Sequence, residues 1–376
     1  MDLLIKQINN LTNIKNDNYF LDNFGITTKQ SGDLLLLRYY RDNPKFNSDD
    51  TMTTFCRGTI INKKTKKPVF VGLKMKVDYD YFKNNVLFSD VKIQQYYDGT
   101  MVNLYYYKDK WFTSTKTVID AKHSKWISKQ NFNSLFNQSC QIDYDKLSKD
   151  CCYSFVLQHK DNRIISEVPT NRVVLILTRN VNNNEIVSNP TDIGKGVILP
   201  STINLKNYSE LENYIKTLNY NLAGVMLYGP NELRTRLMCD DYIKASELRG
   251  NKNNVLLNII DYNDTKLNDY LYYFNDDYII VTKLKKLTNK LLHLCFNYYF
   301  ITKIKGDYSE IPVHLRKFLY NVHLLYKKRC ETYDKKRAKI THSVMKGYFH
   351  SLKDYVKVHL IKNHEKYLKT NKDDNS

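Results

Sequence analysis

Two groups of cations bracket one tyrosine late in the chain: Lys327-Lys328-Arg329 and Lys335-Lys336-Arg337 lie on either side of Tyr333. Ammonium and guanidinium groups neutralise phosphates and release their counterions, while an aromatic ring between them stacks on an unpaired base. The spacing therefore predicts nucleic-acid binding through these six cations, without distinguishing RNA from DNA. Lys346, Lys353, Lys357, Lys362, Lys366 and Lys369 continue the series. From Thr282 to Ser376 there are 22 Lys+Arg against 8 Asp+Glu, so 14 of the 19 net positive charges fall in the last quarter. A solvated helix face would have a similar composition, so the cations alone do not separate the two readings.

Other chemistries fail on residue spacing. The nine His include no HExxH pair, and the seven Cys include no CxxC, so no metal site is expected. No GxxxxGK(S/T) or GxSxG is present, which removes P-loop and nucleophile-elbow enzymes. An odd number of scattered cysteines indicates reduced thiols rather than a disulfide framework. The N-terminal residues have neither a basic start nor an uninterrupted apolar stretch, and no apolar run approaches the ~18 residues of a membrane span. A soluble, non-secreted protein of a cytoplasm is the expectation, with no membrane partner; the oligomeric state stays open.

The elements that must position these residues change character along the chain. Its 376 residues are 42% hydrophobic, enough for a sizeable core, and 12 Gly and 7 Pro leave few breaks between elements. From about residue 33 to 250, short β-branched and aromatic runs are bounded by polar residues: Thr59-Ile60-Ile61, Pro68-Val69-Phe70-Val71, Val102 to Tyr107, Tyr153 to Leu157, and Arg172 to Leu177. These runs predict strands, with a hairpin across Lys108-Asp109-Lys110. Helices are predicted over 129–136 and 209–218, the second capped by Ser209. After Gly250 the apolar period becomes helical. Leu315, Phe318, Leu319, Val322, Leu325 and Tyr326 form one stripe, and Tyr348, Leu352, Tyr355, Val356, His359 and Leu360 another. Ser309 and Pro312 predict a helix start, and His323 and His359 sit as core-edge histidines. A disordered tail is expected, starting near Lys366 by composition and confined to 371–376 in the domain assignment.

Within the strand-rich half a set of short segments occurs in order: Cys56-Arg57-Gly58, Lys67-Pro68-Val69, Tyr96-Tyr97-Asp98-Gly99-Thr100, Ser114-Thr115-Lys116, Asn162-Arg163-Ile164-Ile165, Ala223-Gly224-Val225-Met226, and Arg234-Thr235-Arg236. In this order the chain resembles ATP-dependent RNA ligases of the phage tRNA-repair type, and the ligase-like proteins of large DNA viruses. The resemblance implies an α+β fold: a nucleotidyltransferase (ATP-grasp-like ligase) domain of mixed antiparallel sheets over residues 1–250, followed by a basic all-helical domain over 251–370. It places Arg57, Tyr96, Gly99, Arg163, Arg234 and Arg236 around a nucleotide. A ligase attacks ATP with a lysine kept neutral by neighbouring cations and burial. Here Tyr96 takes that lysine's place, Val156 and Ala223 take the places of two acids, and Met238 that of a lysine. Phosphate-binding and turn-forming residues are thus kept while the nucleophile and nucleotide-orienting acids are not. The expectation is a non-catalytic or altered ligase-like protein that binds nucleic acid, RNA rather than DNA, as single strands or ends. The alternatives are an active transferase using a displaced lysine, Lys92 or Lys116, with Asp98 as the remaining acid, and a purely structural scaffold. ATP and Mg²⁺ are implied only where nucleotide chemistry persists.

Overall fold

A computed structural model describes residues 19–48, 51–305, 309, 311–333 and 338–373. The chain divides into two compact units, Met1–Ser246 and Glu247–Ser376.

The first unit is built on sheets. Among the described residues, β1 (Ile26–Ser31), β2 (Leu34–Tyr39), β3 (Arg57–Asn62) and β4 (Pro68–Phe70) form one antiparallel sheet in chain order. A second sheet contains β6 (Thr100–Tyr107), β7 (Lys110–Ser114), β9 (Cys151–Gln158) and β10 (Arg172–Asn180), ordered β7-β6-β9-β10. The short strands β11 (Ile186–Val187) and β13 (Val197–Ile198) flank β10, while β8 (Gln141–Ile142) pairs with β12 (Gly194–Lys195). A third sheet is β5 (Lys92–Gln95), β14 (Gly224–Tyr228) and β15 (Arg234–Met238), with β14 in the middle.

Every residue of β9 is buried, so its run Cys151 to Gln158 shows no polar alternation. A strand covered on both faces has no use for one. On one face Phe155 and Leu157 join Val102, Leu104, Val173 and Leu175 beneath the helix Phe132–Ser139. On the other, Tyr105 and Cys152 meet Leu34, Leu36, Ile60 and Phe70 of the first sheet. The hairpin between β6 and β7 turns on two residues, Lys108 and Asp109, with φ of 47° and 59°. Two such residues give a tight turn whose twist matches the strands.

The second unit is helical among its described residues: Val255–Ile259, Asp264–Tyr273, Tyr278–Lys305, Val313–Thr332, His342–Ser351 and Asp354–Asp373. The α+β class with mixed antiparallel sheets and a C-terminal helical region is therefore as expected. Several local expectations need correction. Asn207, not Ser209, caps the helix Tyr208–Lys216, its Oδ1 accepting from the Glu210 amide at 2.8 Å. Pro312 occupies the cap position of Val313–Thr332, outside the first turn. The stripe from Tyr348 to Leu360 is split by a break at Leu352 and Lys353; Tyr355 and His359 then face solvent, while Val358, Leu360 and Ile361 enter the core. The last helix runs to Asp373, so the region from Lys366 is helical that far, and 374–376 lie outside the described residues.

Candidate polyanion site around Tyr96

β5 carries the chain to Tyr96, whose amide donates to the Gly224 carbonyl of β14 at 2.9 Å. The Asp98-Gly99 bend follows and starts β6. This bend is locked from several sides. Asp98 Oδ2 accepts from the amides of Ile165 (2.7 Å) and Ser166 (3.0 Å), and Oδ1 accepts from the Tyr242 hydroxyl at 2.8 Å. Gln158 Nε2 donates to the Asp98 carbonyl at 2.9 Å. With both carboxylate oxygens engaged and the side chain buried, Asp98 serves to hold the turn. Gly99 is needed by close approach, because a Cβ there would lie 2.4 Å from the Leu157 carbonyl oxygen.

The Tyr96 ring lies edge-on to Tyr242, centroids 6.2 Å apart, and the Arg236 guanidinium sits 6.0 Å from its centroid. Burial raises the Tyr96 phenol above its usual range, and the Asp98 carboxylate raises it further. A phenol kept protonated in this way is a poor nucleophile at neutral pH. Val156 and Ala223 are both buried.

Cations gather on this side of the unit from four segments. The strand-like stretch Lys74 to Val77 runs beside β15: the Val77 amide donates to the Arg234 carbonyl at 2.9 Å, and Arg234 Nε donates to the Lys74 carbonyl at 2.6 Å. Thr235 Oγ1 adds a bond to the Val77 carbonyl at 2.8 Å. Lys76 is thereby fixed among arginines. Its pKa falls from 10.5 to about 7, through burial first and then through Arg236, Arg57, Arg234 and Arg41. Arg234 is 4% exposed, and its Nη2 is buried with no hydrogen-bond partner. Burial and Arg57 draw its pKa down to about 9, which still leaves it charged at neutral pH. On the far side of Arg57, the Lys116 ammonium is lowered by burial, then by Arg57 and Arg38. Gly58 permits this approach: its φ is +87°, and a Cβ would lie 2.6 Å from Lys116 Cα.

Among the described residues no carboxylate is within ion-pair distance of Arg57, Lys76, Lys116 or Arg236. The nearby acids are engaged, Asp98 as described and Glu232 by Arg179. Uncompensated cations that lower one another's pKa have the chemistry to hold an anion.

The expected site residues thus divide. Arg57, Tyr96, Gly99, Lys116, Arg234 and Arg236 come together, and Lys76 joins them without having been predicted. Its only local signal was Lys74-Met75-Lys76, an alternation indistinguishable from an ordinary strand edge. Lys92 is exposed at the opposite end of β5 from Tyr96, four positions earlier, roughly 13 Å along an extended chain. Arg163 lies in the loop after the turn Lys160–Asn162, with Nε donating to the Ile165 carbonyl at 3.1 Å. Asn162 is buried and bonded to Thr100 Oγ1 at 2.9 Å, a structural position.

A cavity of about 240 Å³ is lined by Tyr96, Tyr97 and Asp98 of the bend together with Gln158, Glu167 and Arg172. Arg172 holds Gln158 Oε1 at 2.8 Å and lies 5.9 Å from the Tyr97 centroid. The volume is below the roughly 300–1,000 Å³ of drug-sized sites, so it suits only part of a nucleotide. Among the described residues, no group of three or more His, Cys, Asp or Glu is placed to hold a metal ion. The side chains present fit the phosphates of ATP but offer no carboxylate cage for Mg²⁺.

In the second unit Lys327 and Lys328 are exposed on Val313–Thr332. Arg329 is half-buried, donating to the Ala338 carbonyl at 3.3 Å and covering the Tyr333 ring at 5.3 Å. Lys335, Lys336 and Arg337 lie outside the described residues. Lys357 leaves the series of phosphate-facing lysines: it is 1% exposed and paired with Asp261 and with Asp354.

No family model matches the chain. A protein described as an immediate-early protein ICP-46 homolog of Invertebrate iridescent virus 3 is 23% identical over 229 residues, 55% of this chain and 50% of that protein. The chain thus spans about half the length of the curated relative it matches. Among solved structures, a putative ATP-dependent DNA ligase from Aquifex aeolicus aligns over 71% of this chain and 74% of its own, with 12% identity and a TM-score of 0.44. An archaeal ATP-dependent RNA ligase aligns in two forms. Form 1 covers 69% of each chain at 10% identity and a TM-score of 0.37; form 2 covers 72% of this chain and 78% of that one at 11% and 0.41.

Proposed function

We propose that the protein is a ligase-like nucleotidyltransferase-fold protein that binds polynucleotide, RNA in preference to DNA, and that its first unit uses the former nucleotide cleft as a polyanion clamp without covalent chemistry. The observation that carries this reading is the set Arg57, Lys76, Arg234 and Arg236 beside Tyr96, with no carboxylate among the described residues within ion-pair distance of it and with a buried guanidinium nitrogen that has no hydrogen-bond partner. Phosphate oxygens satisfy such a cluster. Tyr96 adds an aromatic face beside the cations, the combination that holds an unpaired base next to its phosphate. The test is incubation with radiolabelled ATP or GTP and a divalent metal, followed by a denaturing gel, alongside binding to single-stranded RNA. No covalent band and tight, salt-sensitive RNA binding are expected. A stoichiometric band would overturn the non-covalent reading.

One observation favours a second reading, an active nucleotidyl transferase with a displaced amine. With a pKa of about 7, Lys76 is half neutral at neutral pH, as a nucleophilic lysine must be. Its Nζ would attack the α-phosphorus of a nucleoside triphosphate, forming a P–N bond as pyrophosphate leaves and the amine proton passes to solvent. In that case Lys76→Ala removes the band, while Lys92→Ala and Lys116→Ala retain it.

A further inference from the structure

The connection between β7 and the helix Phe132–Ser139 exposes a tryptophan among cations. Trp126 is 39% exposed and is one of two tryptophans in the chain. The other, Trp111, is enclosed by Tyr106, Tyr144 and Tyr153, with centroids 5.2, 5.9 and 6.0 Å away. Among the described residues no ring or cation is stacked on Trp126. Lys122, His123, Lys125 and Lys129 on either side of it are exposed. Residues 121–132 contain no Asp or Glu, and none of the three lysines makes an ion pair among the described residues. Asp120, just before them, accepts from the Lys122 amide at 2.9 Å.

The loop is fixed to the body of the unit. The Phe132 amide donates to the Ser124 carbonyl at 2.9 Å and closes it. The Ile127 amide donates to Asn162 Oδ1 at 3.4 Å, and Asn162 Nδ2 donates in turn to Thr100 Oγ1 at 2.9 Å. Thr100 follows the Asp98-Gly99 bend, so the buried Asn162 ties the tryptophan loop to the frame that carries Tyr96. An aromatic group already held in place loses little freedom on binding.

An open indole face flanked by three unneutralised ammonium groups matches an unpaired base and its adjoining phosphates: the base stacks on the ring, and the lysines displace counterions. A duplex keeps its base faces stacked inside and leaves the indole unused. A lipid surface fits less well, because the half-buried Ile127 is the one apolar neighbour in the loop and the apolar area is too small for anchoring. We propose that Trp126 is a stacking platform for an unpaired base of single-stranded RNA, with Lys122, Lys125 and Lys129 on the flanking phosphates. The inference deepens the polynucleotide reading of the first unit and rests on it for the class of ligand, but no residue of the cluster around Tyr96 takes part.

The experiment is titration of the full-length chain with a single-stranded oligouridylate, following tryptophan emission and filter retention together. Stacking quenches the indole, so wild-type emission should fall on binding. That fall should vanish in Trp126→Leu, whose affinity should be about tenfold lower, while Trp126→Phe keeps a ring and should lose less. The position is exposed, so neither change touches the core. Retention of RNA with unchanged emission, or equal affinity of wild type and Trp126→Leu, would overturn the platform and leave the clamp standing. Wild-type affinity in Arg57→Ala with Arg236→Ala, with Trp126 still quenched, would remove the clamp and keep the platform. No retention of RNA by the wild type would overturn both. Vesicles of phosphatidylserine and phosphatidylcholine form the last arm: a shift of Trp126 emission with vesicles and none with RNA would assign the loop to a lipid surface instead.

Discussion

Lys76 is a cation buried among other cations at the expense of stability. Its folded pKa of about 7 lies below the ordinary 10.5, so between these values the native state holds fewer protons than the unfolded chain. Stability therefore rises as pH increases from about 7 toward 10.5, and the burden of the charged amine is greatest below pH 7. Lys76→Met should raise stability at pH 7 by about 0.5–2 kcal/mol and flatten this alkaline rise, as chemical denaturation across pH 6 to 10 would reveal. Under the proposed clamp the same variant should bind RNA more weakly, because it removes one of the cations offered to the phosphates. Arg57 and Arg236 were legible because their neighbours along the chain form recognisable words. Lys76 was not, because what distinguishes it is the backbone pairing of Lys74 to Val77 with β15, a contact spanning about 160 residues that no local pattern encodes. Asp98 was legible as a turn residue, and its bonds to Ile165, Ser166 and Tyr242 explain why an acid is needed there without assigning it chemistry.

Among the elements, strands buried on both faces and hairpins with a polar turn were visible in composition alone; where they ended was less so. The run Arg172 to Leu177 announced β10, but the strand continues to Asn180 and carries Arg179 fully into the interior. There Arg179 makes a two-pronged contact with Glu232 and a bond to the Asn184 carbonyl at 2.8 Å. Glu232→Gln leaves this guanidinium buried beside a neutral partner and should cost about 3–5 kcal/mol, measurable as a lowered urea midpoint. The helical stripes were legible as periodicity, yet the break at Leu352 turned the last one by enough to bury Lys357 rather than Tyr355. A buried lysine is invisible to a hydrophobic pattern, since it is placed there by Asp261 and Asp354. Histidines at the centre of this unit make it acid-sensitive. Burial lowers His314, and burial with His314 and Lys290 lowers His364. The unfolded chain thus takes up protons first as pH falls below about 6.5, and stability is lost from there downward. Replacing both by Gln should shrink that loss between pH 7 and 5 in thermal unfolding of the full chain.

At the scale of the molecule the net charge of +19 includes two cationic groupings of different design. In the first unit a small group of cations is ordered and partly desolvated around Tyr96; the second spreads Lys327 and Lys328 over open helix surface. Each phosphate contact on a single strand contributes about 0.7 to the slope of log K against log salt. Lys327→Ala with Lys328→Ala should therefore reduce the slope for single-stranded RNA by about 1.4 and lower affinity evenly across sequences. The most direct test of the central claim is the same slope measured for the wild type and for the Arg57→Ala, Lys76→Ala, Arg236→Ala variant. A slope lower by about 2, with weaker binding at every salt concentration, is the predicted result. An unchanged slope and unchanged affinity in a folded variant would contradict the account, because the cations around Tyr96 would then hold no strand at all.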